Sequence, residues 1–290
     1  MEYVLKCPLI FDGIKRLDAL YLPLESLTSN DTIVIDLSRV KFIKPPAVIG
    51  ILLTIESVMA LPVKNRPEVR ILAPDAKAVL EYLVAIDFIA ALESIAKWDI
   101  PEEDRNVVHT KIRPVIPVTR FGCSADVEQI AEAMLNTFHT EFLGLTMLLQ
   151  PCHIIFSELA DNTLFHAESR GGFVLAQQYN YKAGALLEIA VGDCGIGIAR
   201  SLRKKPSLAP SITDDSSAIV LAFEDGVSCT CDPHRGYGLG HVQEAVAARE
   251  RELSIRSGSG FYIMRADGFR QSDSCQLIPG TIAHAVIPCS

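Results

Sequence analysis

The chain has 290 residues, 49% hydrophobic and 21% charged, enough for one large or two ordinary domains with their own cores and unlike a disordered or fibrous class. Its formal net charge of -8 is spread over both halves, so the basic footprint of a nucleic-acid binder is absent and no nucleic-acid partner is expected. The start, MEYVLKCPLIFDG, lacks the succession of a secretory signal. The most membrane-like run, 45–61, is interrupted by Glu56 and short of the ~20 apolar residues a bilayer needs. A cytoplasmic location without a membrane partner is expected, with 45–61 as a buried amphipathic helix.

In chain order, EYVLKCPLIF reads as extended, 13–27 as helical and TSND as a turn. The β-branched run TIVIDLS predicts a buried strand, followed by a helix over 47–60, the strand EVRILA and a helix over 76–95. This alternation is that of an α/β domain with a moderately small sheet. The polar run DIPEEDRN reads as a linker. Beyond it 111–121 is extended, Ser124 can cap a helix over 125–147, and a second helix covers 152–167. GGFVLAQQYNY and ALLEIAVGD, joined by KAG, predict a hairpin. Residues 198–234 are looser, with one helical piece at 216–225, and read as a mobile lid. HRGYGLGHV opens a helix, ELSIRS and GFYIMRA read as two strands, and PGTIAHAVIP as the last.

The eight scattered cysteines read as small buried hydrophobes in a reducing compartment. Cys229, Cys231 and His234 raise the question of a metal, but a structural zinc needs four ligands, and the bland reading is a loop with incidental cysteines.

Chemistry-bearing residues fall in an ordered series. On the 152–167 helix, Phe156, Leu159, Ala160 and Thr163 share a core-facing side while Glu158 and Asn162, four apart, share another. Asp193 ends a strand ahead of Gly195 and Gly197. Gly236, Gly238, Leu239 and Gly240 lead into a helix, and Gly280 and Thr281 into the final strand. No Gly-Lys pair exists, which excludes a Walker A loop, and the spacing of the 236–240 glycines misses the dinucleotide fingerprint; the protein-kinase set is absent too.

The first hundred residues resemble the STAS domain, through IVIDLSRVKFI, PPAVIGILLTIESV, VRILAP and VLEYLVAIDFIAAL. Where phosphorylatable members carry a hydroxyl at the helix start, this chain has Lys44, Pro45, Pro46 and Ala47, which implies a docking or dimerisation module in place of a phospho-switch. The series E-x-x-x-N, D-x-G-x-G, G-x-G-L-G and G-T resembles the GHKL ATPases over 112–288. Asn162, His166 and Ala167, as N-x-x-x-H-A, look like the anti-sigma serine-kinase branch. The implied architecture is α/β (α+β): a STAS-like mixed sheet with helices at 1–98, a linker at 99–110 and a GHKL two-layer α/β sandwich at 111–290. His139 is expected to be a packed or surface histidine, since a histidine-kinase phosphoacceptor would belong to a separate upstream domain.

The resemblance implies ATP and Mg2+ as cofactors, with Asn162 on the metal and Glu158 as general base, roles that suit an amide oxygen and a carboxylate one turn apart. Asp193 would accept from the adenine amino group, with Gly195 and Gly197 letting backbone approach the base and Thr281 supporting Asp193 through its hydroxyl, directly or through a water. Gly236, Gly238, Leu239 and Gly240 would meet the phosphates at a helix start. Arg200, Lys204, Lys205 and Arg235 are candidate added charge. Two functions follow from the resemblance: a serine/threonine kinase acting on a separate regulatory protein, of sigma-factor or STAS type, or an ATP-dependent switch or slow ATPase controlling homodimerisation or partner docking.

Overall fold

A computed structural model describes residues 1–93, 95, 97–99, 112–140, 148–224, 226–228, 238–247 and 251–289. All but the first residue of the expected 99–110 linker, together with Cys229, Cys231, His234, Arg235 and Gly236, lies outside the described residues.

In the N-terminal half, β1 (Glu2–Lys6), β3 (Thr32–Asp36), β5 (Glu68–Leu72) and β6 (Lys97–Asp99) form a sheet in the order β1-β3-β5-β6. Every pairing in it is parallel, which corrects the expected mixed sheet. The reason is connectivity: each neighbour is reached through a helical crossover rather than a hairpin. β2 (Ile10–Phe11) and β4 (Phe42–Ile43) make a separate parallel pair. The helix expected over 13–27 is two 3-10 helices, Ile14–Leu20 and Leu24–Ser26, with Pro23 between them removing a donor. The one expected over 76–95 is α2 (Lys77–Ala85) and α3 (Phe88–Glu93), separated at Asp87, whose φ is 60°.

Helix α1 (Pro45–Met59) joins the two halves. All of it is buried except Glu56 and Met59, and its Thr54 and Ser57 hydroxyls are spent on the carbonyls of Gly50 and Leu53. The helix is buried, as expected, and on nearly every side rather than along one face. One core holds Ile33, Ile35 and Ile71 of the parallel sheet, the α1 side chains, and Phe173, Leu175, Ala190 and Ile282 of the second sheet. Two self-contained cores were expected; this one spans both halves. Arg256, fully buried, adds a fastening by donating to the carbonyls of Ile14 and Lys15 and pairing with Asp18.

The second sheet is antiparallel, in the order β10-β11-β9-β8-β7, from β7 (Ile116–Phe121), β8 (Gly172–Tyr181), β9 (Gly184–Asp193), β10 (Glu252–Arg265) and β11 (Arg270–Pro288). The expected hairpin is β8–β9, closing with Tyr181 opposite Gly184. The two strands expected over 252–266 are one strand, β10, irregular at Gly258, and the last strand starts well before Gly280. Side-chain alternation puts Phe173, Leu175 and Ala190 toward α1. Val174, Ala176, Ile189 and Val191 face a second core with α4 (Ser124–Thr140), α5 (Leu149–His166) and later α8 (Gly238–Ala247). This half is thus covered on both faces. His139 lies exposed on α4.

The stretch expected to be a loose lid is packed through residue 224. It contains α6 (Gly197–Leu202) and α7 (Asp215–Leu221), and Ala199, Leu202, Ile212 and Ala218 form a small core. Asp214 and Ser217 make a capping box, and Asp215 accepts from the backbone and hydroxyl of Ser259, both at 2.8 Å. Among the described residues no helix is long and apolar enough to cross a membrane. The described cysteines are free, with Cys7 and Cys152 buried and Cys123 exposed.

Candidate functional site

Helix α5 sets the site. Phe156, Leu159, Ala160 and Thr163 are buried as expected, which turns Glu158 and Asn162 toward α8. Between α5, the end of β9, α6 and the head of α8 lies a cleft of ≈ 840 Å³ counting its open mouth. Asn162, His166, Asp193, Gly197, Gly238, Leu239 and Thr281 all line it, with Leu159, Val191, Ile198, Leu202, Ile255 and Ala283 as apolar walls. Residues separated by more than a hundred positions thus meet in one mainly apolar slot with a few polar groups, the usual make-up of a small-molecule site.

At the floor, Asp193 is 4% exposed. One oxygen accepts the Gly195 N–H at 2.8 Å, the other the Thr163 hydroxyl at 3.4 Å, and the backbone of Thr281 donates as well. Burial nevertheless pushes this carboxyl up to about 7 against those donors, and the charge of Glu56 on α1 adds to the rise. The slot therefore ends in a buried carboxyl poised near neutrality, able to accept an N–H from a planar ring once ionised.

The Thr281 hydroxyl is 2.9 Å from the Ser257 hydroxyl, and the direct support to Asp193 comes from the Thr281 backbone and from Thr163. Gly195 does not line the cleft. A Cβ there would stand 2.1 Å from the Ala167 carbonyl, so its glycine is required by the close approach of the strand end to the end of α5. Gly197, with φ 74°, does line the cleft, and a Cβ on it would meet the Ser257 hydroxyl at 3.0 Å. Ser257 also accepts the Ile198 N–H at 2.8 Å, holding the start of α6. Thr163 and Ser257 were not singled out from the sequence; Thr163 was read only as core, and Ser257 sits in a strand with no motif around it.

At the other end, α8 approaches α5 through its first glycine. A Cβ on Gly238 would lie 2.7 Å from Glu158 Oε2 and 3.8 Å from Asn162 Nδ2. Glu158 Oε1 is 2.7 Å from His241 Nδ1, a contact the sequence did not suggest. The Asn162 side chain has no hydrogen-bond partner among the described residues, and it lines the cleft. Its amide oxygen fits one position on a hard cation, and the α8 N-terminus offers the backbone donors that anions take. Gly240 follows within α8 without lining the cleft. Of the candidate cations, Lys204 pairs with Glu168 at the surface, and Arg200, Lys204 and Lys205 are not among the lining residues.

Behind the cleft floor stands α1. Gly192 is so close to it that a Cβ would meet Leu53 at 2.9 Å and Ile49 at 3.0 Å. Next to Asp193, the Cys194 thiol donates to Glu56 at 3.6 Å and is pushed up to about 12 by burial. The other oxygen of Glu56 takes Arg120 at 2.6 Å.

No protein-family model matches this chain, and a search of curated proteins returns no match to it.

Proposed function

We propose that this chain is a Mg-ATP-binding signalling protein of GHKL type, most simply a serine/threonine kinase acting on a separate protein partner, with a STAS-like module fused ahead of it. One observation supports the reading above all. The buried Asp193, the Asn162 amide, which has no hydrogen-bond partner among the described residues, and the glycine-led start of α8 come from three separate motifs yet line one cleft, with Glu158 against Gly238. Bound nucleotide would supply a terminal phosphoryl group for transfer to an oxygen. Asp193 would hold the adenine amino group, Asn162 would share the metal, the α8 start would receive phosphates, and Glu158 would take the proton of the attacking hydroxyl. Positioning and charge stabilisation supply most of the rate in such reactions, so this small set suffices.

A second reading has its own support. Helix α1 lies directly behind Gly192 and Cys194, on either side of Asp193, and no hydroxyl stands at its head. An ATP-dependent switch, with slow or absent hydrolysis, would use that contact to pass nucleotide occupancy to the N-terminal module. The module docks within its own chain, so α1 itself is not a surface open to a partner.

The two readings separate on incubation with labelled ATP and captured partners. Label on a serine or threonine of a partner supports the kinase; label only as free phosphate, or no turnover with nucleotide bound, supports the switch. Glu158→Gln is expected to abolish turnover while sparing nucleotide binding.

A further inference from the structure

Glu158 is held by a residue outside every motif that suggested its role. His241 stands on α8 just after the glycines, and its Nδ1 is 2.7 Å from Glu158 Oε1. The other oxygen, Oε2, sits at Gly238, where a Cβ would come within 2.7 Å of it. The two oxygens of one carboxylate are therefore divided: Oε1 is engaged by the imidazole, and Oε2 is turned to the helix start where phosphates are expected. Both partners remain partly open, with the Glu158 side chain 28% and the His241 side chain 55% exposed. Asp161 and Glu244, each three residues further along its helix, are the other carboxylates on the adjoining turns of α5 and α8.

We propose that His241 is the positioning residue for Glu158, donating Nδ1–H to Oε1 so that Oε2 is the oxygen presented to the reacting hydroxyl or water. This rests on the reading of Glu158 as general base. In the step, Glu158 Oε2 takes the nucleophile's proton as its oxygen bonds to the terminal phosphorus, and the bond to the diphosphate breaks with its electron pair leaving on the diphosphate oxygen. His241 keeps its proton throughout. Its contribution is geometric: the Nδ1–H bond fixes the carboxylate rotamer and so selects the oxygen that faces the nucleophile. Because His241 and Gly238 share one helix, the orientation of the base depends on α8 being seated on α5. The phosphate-receiving end and the base are thereby assembled together.

Three measurements on the full chain test this. The imidazole 15N shifts of His241 are expected to report an Nδ1–H tautomer that reverts toward Nε2–H in Glu158→Ala, which removes the acceptor; shifts indifferent to Glu158→Ala overturn the pairing without any need for activity. In turnover assays, His241→Phe is expected to lower kcat about tenfold or more with little change in ATP affinity. His241→Asn, which keeps a donor, should recover part of the loss, and His241→Phe should add nothing to Glu158→Gln. Unchanged kcat in His241→Phe, or losses that multiply in the double variant, overturn the proposal. Failure of the unaltered protein to bind a fluorescent ATP analogue contradicts the ATP-site reading instead, a result distinguishable from all of these.

Discussion

Lys44, at the head of α1, forms an ion pair with the fully buried Glu188 of β9, whose other oxygen is 3.0 Å from His284 Nε2 on β11. Its charge is spent on the neighbouring half of the chain. Burial opposes the charge on Glu188, but His284 and Lys44 outweigh it and hold the carboxyl below its ordinary 4.5; Lys44 in turn is held above its usual range by Glu188. Lys44→Met, which keeps the stem and removes the charge, is expected to cost about 2 kcal/mol. This is below the usual figure for breaking a buried pair because His284 remains and Lys44 is partly exposed. The depressed carboxyl contributes stability that is present above its unfolded value and lost as pH falls through the lower folded one. Urea unfolding of the unaltered protein and Lys44→Met between pH 3 and 7 measures both effects.

Asp193 titrates in the opposite sense. Its folded value of about 7 lies above the ordinary 3.8, so the folded chain holds a proton that the unfolded chain has released. Stability should fall as pH rises from about 4 through 7 and level off above, by on the order of 4 kcal/mol. Asp193→Asn cannot titrate and should lack this fall, so it gains on the unaltered protein between pH 4.5 and pH 8. Parallel slopes for the two proteins would contradict the buried, proton-holding carboxyl.

Glu56 links α1 to the same group, because its charge helps raise Asp193. If adenine is held by ionised Asp193, nucleotide affinity should strengthen as pH rises through about 7. Glu56→Gln should move that midpoint to lower pH. An affinity profile that stays in place in Glu56→Gln would mean that the N-terminal module does not influence the cleft through this charge.

Gly195→Ala should be costly. The new Cβ would stand 2.1 Å from a backbone oxygen that cannot swing aside, so the end of β9 must move away from α5, at roughly 2 kcal/mol or more. Gly13→Ala, where nothing lies within 4 Å, is the matched control and should be near neutral. Thermal melts of the two variants give the comparison.

Much of this was legible in the residues, and the failures have physical causes. The strands TIVIDLS, EVRIL and the 172–193 hairpin follow from β-branched runs bounded by turn residues. The core face of α5 follows from its period. What periodicity could not show was the environment on each side of α1: its apolar run was visible, but that it is packed against two sheets depends on residues far along the chain. Asp87 breaks a helix without a glycine or proline to announce it. The glycine at 195 was expected to admit a ligand, whereas it admits a carbonyl from its own chain. The Glu158–His241 contact joins positions 83 apart, beyond any local pattern.

Whether the cleft floored by Asp193 binds Mg-ATP, as proposed, is tested most directly by equilibrium titration of the protein with ATP, with and without magnesium. Saturable binding at one site is expected, strengthened by magnesium, weakened about tenfold or more at pH 8 by Asp193→Asn through loss of a charge-assisted hydrogen bond, with the magnesium gain lost in Asn162→Ala. No saturable binding, or binding indifferent to both substitutions, would contradict the proposal.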